Sequence, residues 1–222
     1  MTIVRTDFEG DVNVGAFGSI TDKFVFTSPN MSEKSMDTIE RTFNLPLIQT
    51  TVATTDIIGI MSVSNSNGIL VPYTTTDEEL ERIKRSSDIK VDWIESKMTA
   101  LGNIILANDN GAICHPEFDA NARRKIADVL DVEVVQGTIA KLPIVGASTL
   151  ATSKGAIIHP MATDDEISQV AQMLKVDVEV GTINRGSPYT KLGVLANVDG
   201  MIAGSDTTGV ELAHVSQVLG FI

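Results

Sequence analysis

Short apolar runs and polar turns alternate along the chain in a fixed order. The clearest copy is Ala100–Pro116, ALGNIILANDNGAICHP. A glycine opens an apolar run, a polar turn ends in a second glycine, and another apolar run stops at proline. Ile58–Pro72, Val145–Pro160 and, more loosely, Lys191–Gly204 repeat this order. The turn glycines Gly68, Gly111, Gly155 and Gly200 lie 43, 44 and 45 residues apart. An eroded copy around Gly15 and Phe24 adds one period, so five units of about 44 residues account for nearly all 222. A unit of that size is too small to bury its own apolar face, so the repeats predict one domain over 1–222.

Within each unit the pattern predicts strand, strand, helix, strand. The first strands are expected at Ile60–Ser64, Asn103–Ala107 and Ala147–Thr152. Turns of the SNSNG, NDNG and TSKG type follow, where Asn and Gly would accept positive φ. The second strands, Ile69–Val71, Ala112–His115 and Ala156–His159, end at Pro72, Pro116 and Pro160. Both runs are almost wholly apolar, which predicts strands covered on both faces. Thr76–Glu79, Thr163–Glu166 and Thr208–Glu211 then match the capping box that opens a helix. Apolar residues recur at helical spacing behind each box, as in Ile167, Val170 and Leu174. Period-two alternation at Val91–Ile94, Val132–Val135 and Val176–Val180 predicts the third strand. The fifth unit stops after its helix, and the chain begins with a surplus run, Thr2–Thr6. The N-terminal strand is therefore expected to complete the fifth unit and close a ring, leaving no open edge.

The net charge of −12 opposes generic binding to a nucleic-acid backbone, which requires Lys and Arg to displace counterions. It suits a basic partner. One cysteine excludes an internal disulfide. Asp7, Glu9 and Asp11 stand where a signal peptide would be apolar, and no apolar run approaches the roughly 20 residues of a membrane span. A cytoplasmic protein with no membrane partner is expected. The zinc spacings HExxH and CxxC are absent, as is the phosphate-loop lysine, so no metal and no cofactor is expected.

ALGN at Ala100–Asn103, GTINRGS at Gly181–Ser187 and DTTGVEL at Asp206–Leu212, in this order on this period, resemble the translation initiation factor six family of archaea and eukaryotes. The resemblance runs from one end of the chain to the other. It implies an α/β fold of the pentein type, a five-bladed α–β propeller with five-fold pseudosymmetry. It also implies binding to the inter-subunit face of the large ribosomal subunit, which prevents premature joining of the small one, and a part in large-subunit maturation. The implied contact is mainly a basic ribosomal protein with rRNA close by, made by a monomeric ring.

Candidate site residues follow from residue type and repeat position. Related pentein enzymes modify guanidines with a cysteine nucleophile, so Cys114 carries the alternative reading, a guanidine-modifying hydrolase. Cys114 corresponds to Ile158 in the next repeat, which favours a core residue and a binding module rather than an enzyme. His115 and His159 share one position before proline and are expected to hold strand ends. Lys97, Lys141 and Arg185, spaced 44 and 44, are expected on one rim of the ring. The acidic caps Asp77–Glu79 and Asp164–Glu166 are expected at the opposite ends of the blades. Gly15, Ile60, Asn103 and Ala147 open the first strands on the basic rim. By resemblance this is the ribosome-facing surface, with small residues allowing a partner close to the backbone.

Overall fold

A computed structural model describes residues 1–86 and 88–222. Its strands form five three-stranded sheets, the blades of a ring. Blade one holds β2 (Gly18–Ile20), β3 (Val25–Thr27) and β4 (Leu47–Gln49), preceded in the chain by β1 (Thr2–Thr6). Blade two holds β5 (Val63–Asn65), β6 (Gly68–Pro72) and β7 (Lys90–Ile94). Blade three holds β8 (Ile105–Ala107), β9 (Gly111–Cys114) and β10 (Glu133–Gln136). Blade four holds β11 (Thr149–Ala151), β12 (Gly155–Ile158) and β13 (Asp177–Val180). Blade five holds β14 (Val194–Ala196) and β15 (Gly200–Gly204), and β1 supplies its third strand. In every blade the first two strands pair antiparallel and the third runs parallel to the second. The pairing of Thr2–Thr6 with Gly200–Gly204 is the ring closure expected from the surplus N-terminal run, but the blades are separate sheets and among the described residues each third strand keeps an unpaired outer edge, contrary to the expectation of no open edge.

The helix between the second and third strands of each blade is α1 (Glu33–Phe43), α2 (Asp77–Arg85), α3 (Ala120–Leu130), α4 (Asp164–Leu174) or α5 (Gly209–Val218). Each packs its apolar stripe against its own sheet and the sheet of the preceding blade, so the core is divided into clusters that lie between blades. Ile126, Val129 and Leu130 of α3, for example, pack with Leu70 and Ile94 of blade two and with Ala112 and Cys114 of blade three. The second strands are buried along their whole length, as β6 and β15 show. All three capping boxes read from the sequence are formed, at Thr76, Thr163 and Thr208.

Two local expectations are corrected. The first strands begin later than the apolar runs do. Ile58–Met61 and Leu101–Ile104 form single helical turns, Val14–Ala16 a tighter one, and Ala147 lies in a turn, so Ile60, Asn103 and Ala147 precede the strands. The cause lies at the ring centre, where these turns stack backbone to backbone. A Cβ on Gly59 would stand 2.0 Å from the carbonyl oxygen of Gly15, and one on Gly102 would stand 2.0 Å from that of Gly59. The second correction concerns the hairpin glycines, which do not have positive φ. Gly111 is glycine because a Cβ there would stand 2.2 Å from the carbonyl oxygen of Met173, at the end of the next blade's helix. The turns themselves are shaped by asparagine: Asn108 Oδ1 accepts from the backbone N–H of Asn110 and Gly111, and Asn65 and Asn197 do the same in their blades.

Candidate functional site at the loop end of the ring

Strand direction gives the ring two different ends. Second and third strands finish together at what we term the loop end. There each helix starts, and there the chain crosses to the next blade. The hairpin turns and helix C-termini occupy the other end. This parallel arrangement overturns the expectation that the acidic caps lie opposite the basic residues. Both are at the loop end, because a helix that follows the second strand starts where the third strand stops.

The caps are fastened to the crossing loops. Glu166 receives hydrogen bonds from the backbone N–H of Ala140 (2.9 Å) and Lys141 (3.0 Å) and from the Thr138 hydroxyl (2.8 Å), as well as from its own N-cap Thr163. Glu211 is bonded in the same way by Gly186, Arg185, Thr182 and Thr208, and Glu79 by Thr51, Thr54 and Thr76. In blade one the direction reverses: Glu9 in the loop accepts from Ser32 and Ser35 at the start of α1. Burial alone would raise the pKa values of Glu79, Glu166 and Glu211, but the convergent donors outweigh it, and Glu211 is held at about 2. These carboxylates stay ionised as structural buckles. Lys141 and Arg185 have positive φ within the buckled turns.

The predicted rim residues Lys97, Lys141 and Arg185 are all exposed at the loop end, and Arg185 lies 3.8 Å from Asp206. The end is not a basic ring. Asp7, Glu9, Asp11 and Asp56 occupy the crossing loops that enter blades one and two, whereas Lys97, Lys141 and Arg185 occupy those that enter blades three, four and five. The charge of the crossing loops is therefore split across the face, while Glu95 and the helix starts Asp119, Asp164 and Asp165 set carboxylates beside the basic residues.

Gly15 and Ala147 are buried, and Gly15 is pressed against Lys191 and Val194 of blade five, so these small residues admit neighbouring blades rather than a partner. Ile60 and Asn103 are partly exposed beside them. The Asn103 carbonyl accepts from Gly146 and Ala147 of the next blade, and its side-chain Oδ1 is buried without a partner.

Hydrophobic exposure marks the same end, a signal the sequence reading missed. Tyr73, Trp93, Leu142, Met161, Val180 and Val210 are exposed, and each sits at or next to the end of a second or third strand, in a crossing loop or in the first turn of a helix. Met161 and Val210 are 75% and 82% exposed. The other exposed large hydrophobics, Met1, Ile3 and Ile222, belong to the chain termini. Trp93 carries the Lys125 ammonium 4.2 Å over its ring. Tyr73, Leu142, Met161 and Val210 stand outside the periodic runs, and Trp93 and Val180 lie in third strands whose alternation does not tell which face is left uncovered.

Cys114 is fully buried, and burial pushes its thiol up to about 11 despite the nearby Arg123, so it does not supply a thiolate. His115 and His159 hold strand ends as expected, Nδ1 accepting the backbone N–H of Glu117 (3.1 Å) and Met161 (3.0 Å). Among the described residues no group of three His, Cys, Asp or Glu side chains is placed to hold a metal ion, and no helix is long and apolar enough to cross a membrane.

The sequence is similar to those of named proteins along nearly its whole length. The sequence profile of the eIF-6 family matches residues 3–218. Translation initiation factor 6 of Pyrococcus furiosus is 44% identical over the whole of both chains. The protein of the same name from Natronomonas pharaonis is 40% identical over 99% of this chain and all of its own. Eukaryotic translation initiation factor 6 of Emericella nidulans is 35% identical over 97% of this chain and 89% of its own. With ring, repeats and full-length similarity in agreement, the chain belongs to the eIF-6 family.

Proposed function

We propose that this protein is a translation initiation factor whose loop end docks on the inter-subunit face of the large ribosomal subunit and sterically prevents premature joining of the small subunit, a contact that also serves large-subunit maturation. The observation that carries the reading is the concentration of exposed Tyr73, Trp93, Leu142, Met161, Val180 and Val210 at one end of a ring whose other exposed apolar residues are terminal. Exposed aromatic and apolar side chains gathered on one face mark protein–protein docking. The split charge suits a composite partner. The acidic side, with Asp7, Asp11 and Asp56, faces a basic ribosomal protein, and Lys97, Lys141 and Arg185 lie against nearby rRNA phosphates. Ile60 and Asn103 stand at the middle of that face. A ring whose β1 edge is already paired with β15 works as a monomer.

Sedimentation with separated ribosomal subunits tests this. The protein pellets with large subunits only, and its presence lowers the yield of joined ribosomes when small subunits and magnesium are added. Asn103→Arg keeps the far-ultraviolet circular dichroism of the parent and weakens pelleting about tenfold or more, as expected for a central interface position that loses about 1.4 kcal/mol or more. Pelleting with neither subunit overturns the reading.

A further inference from the structure

The centre of the ring is a channel lined by the first strands, and one residue breaks its pseudosymmetry. Four repeats place glycine at the innermost turn, Gly15, Gly59, Gly102 and Gly146, and the fifth places Lys191 there. Its side chain crosses the ring to the two blades opposite its own. The ammonium donates to the carbonyl oxygen of Gly102 at 2.8 Å and to that of Gly59 at 3.4 Å. Lys191 thus bars the channel at the loop end, where the glycine turns already stack backbone on backbone. The cavity behind it has a volume of about 60 Å³ and continues, through shared lining residues Ser64, Ala107 and Ala151, to the mouth at the hairpin end, where Asp109 and Asp22 accept the backbone N–H of Ser66 and Val198 in neighbouring hairpins. One water needs only about 10–15 Å³ of such space, so the cavity admits a small ion with a few waters and excludes anything of nucleotide size.

Charge and hydrogen bonding inside this blind channel are unbalanced. Part of Lys191 reaches the loop-end surface, but its ammonium is surrounded by protein, and burial pushes its pKa down to about 8. Among the described residues no carboxylate forms an ion pair with it; two neutral carbonyls are its acceptors. An ammonium has three donors, so one remains. Thr149, fully buried, lines the same cavity with its hydroxyl unpartnered. Ser19 and Ser64 add a pair of hydroxyls, 2.7 Å apart, on the wall. A buried cation without a counter-charge is costly, and a buried hydroxyl without a partner adds to that cost.

We propose that the blind channel binds one small inorganic anion of chloride size, which enters from the hairpin end, sits against the Lys191 ammonium and accepts a hydrogen bond from Thr149. The site is separate from the docking face and stands whether or not that face binds ribosomes. Crystals grown in sodium bromide test it directly by anomalous scattering at the bromine edge. The expected result is one bromide peak inside the channel within hydrogen-bond reach of Lys191 Nζ. A channel that holds only water, or bromide peaks confined to the outer surface, overturns the proposal. In solution, the melting midpoints of the parent and of Lys191→Met are compared in sodium chloride and in sodium gluconate at equal ionic strength, gluconate being too large for the cavity. With chloride at about ten times its dissociation constant, the parent's midpoint rises on exchange of gluconate for chloride by about 2–4 °C more than the variant's does. An equal rise in both proteins contradicts it.

Discussion

Single side chains connect blades that the backbone hydrogen bonds keep apart. Asn108 is the clearest case. Its Oδ1 shapes its own hairpin, and its Nδ2 donates to the carbonyls of Thr152 in the next hairpin and Leu174 at the end of α4, at 3.2 and 2.9 Å. Asn108→Ala leaves several of these buried groups unpaired and lowers unfolding free energy by about 2–3 kcal/mol, read from urea midpoints. Glu211 links helix to loop in the same manner, and its titration can be followed. Its carboxyl is held at about 2 against an ordinary 4.5, so its contribution is complete above pH 4.5 and is lost as the pH falls toward 2. Glu211→Gln is less stable than the parent at pH 7 and shows a flatter loss of stability between pH 4.5 and 2 in denaturant titrations. A parallel pH dependence for both proteins would remove Glu211 from that role. The sequence showed Asn, Gly and Glu at repeating positions, but their tasks were legible only in part. The capping function is local and readable from spacing. The reach of Asn108 and of Glu211 into neighbouring units depends on how blades are stacked.

At the scale of elements, the order strand, strand, helix, strand was readable because each piece carries its own signal: apolar runs, turn residues, capping boxes and alternation. Three first-strand boundaries shifted where the ring overrides local preference. Asn103 and Ile104 read as the start of a strand, yet they belong to the turn Leu101–Ile104, which coils because the neighbouring turns stack through glycine at the centre. The end of the ring that holds the acidic caps is not legible in the sequence for a related reason: the spacing of a helix in sequence does not state that its flanking strands run parallel. The closing strand, by contrast, followed from counting. Removal of residues 1–6 takes β1 from β15 and exposes the second strand of blade five as an open edge. Size-exclusion chromatography of that truncation shows self-association or a swollen, weakly cooperative chain. A monomer with the parent's urea midpoint would show that β1 does not close the ring.

The whole molecule is a ring with unlike faces. The hairpin end is tied together by asparagines and by bonds such as Ser66 N–H to Asp109, whereas the loop end carries the exposed apolar side chains and the divided charge. The sequence placed Ile60, Asn103, Lys97, Lys141 and Arg185 at this end, and Tyr73, Trp93, Met161 and Val210 join them only in the folded ring. Because Cys114 is buried, a cysteine introduced at the surface reacts alone. The most direct measurement therefore compares two labelled proteins, Met161→Cys at the loop end and Asn67→Cys at the hairpin end, each carrying the same bulky maleimide, in sedimentation with large ribosomal subunits. The loop-end label abolishes pelleting and the block to subunit joining, while the hairpin-end label leaves both unchanged. Pelleting that survives the label at Met161 and is lost with the label at Asn67 would contradict the account.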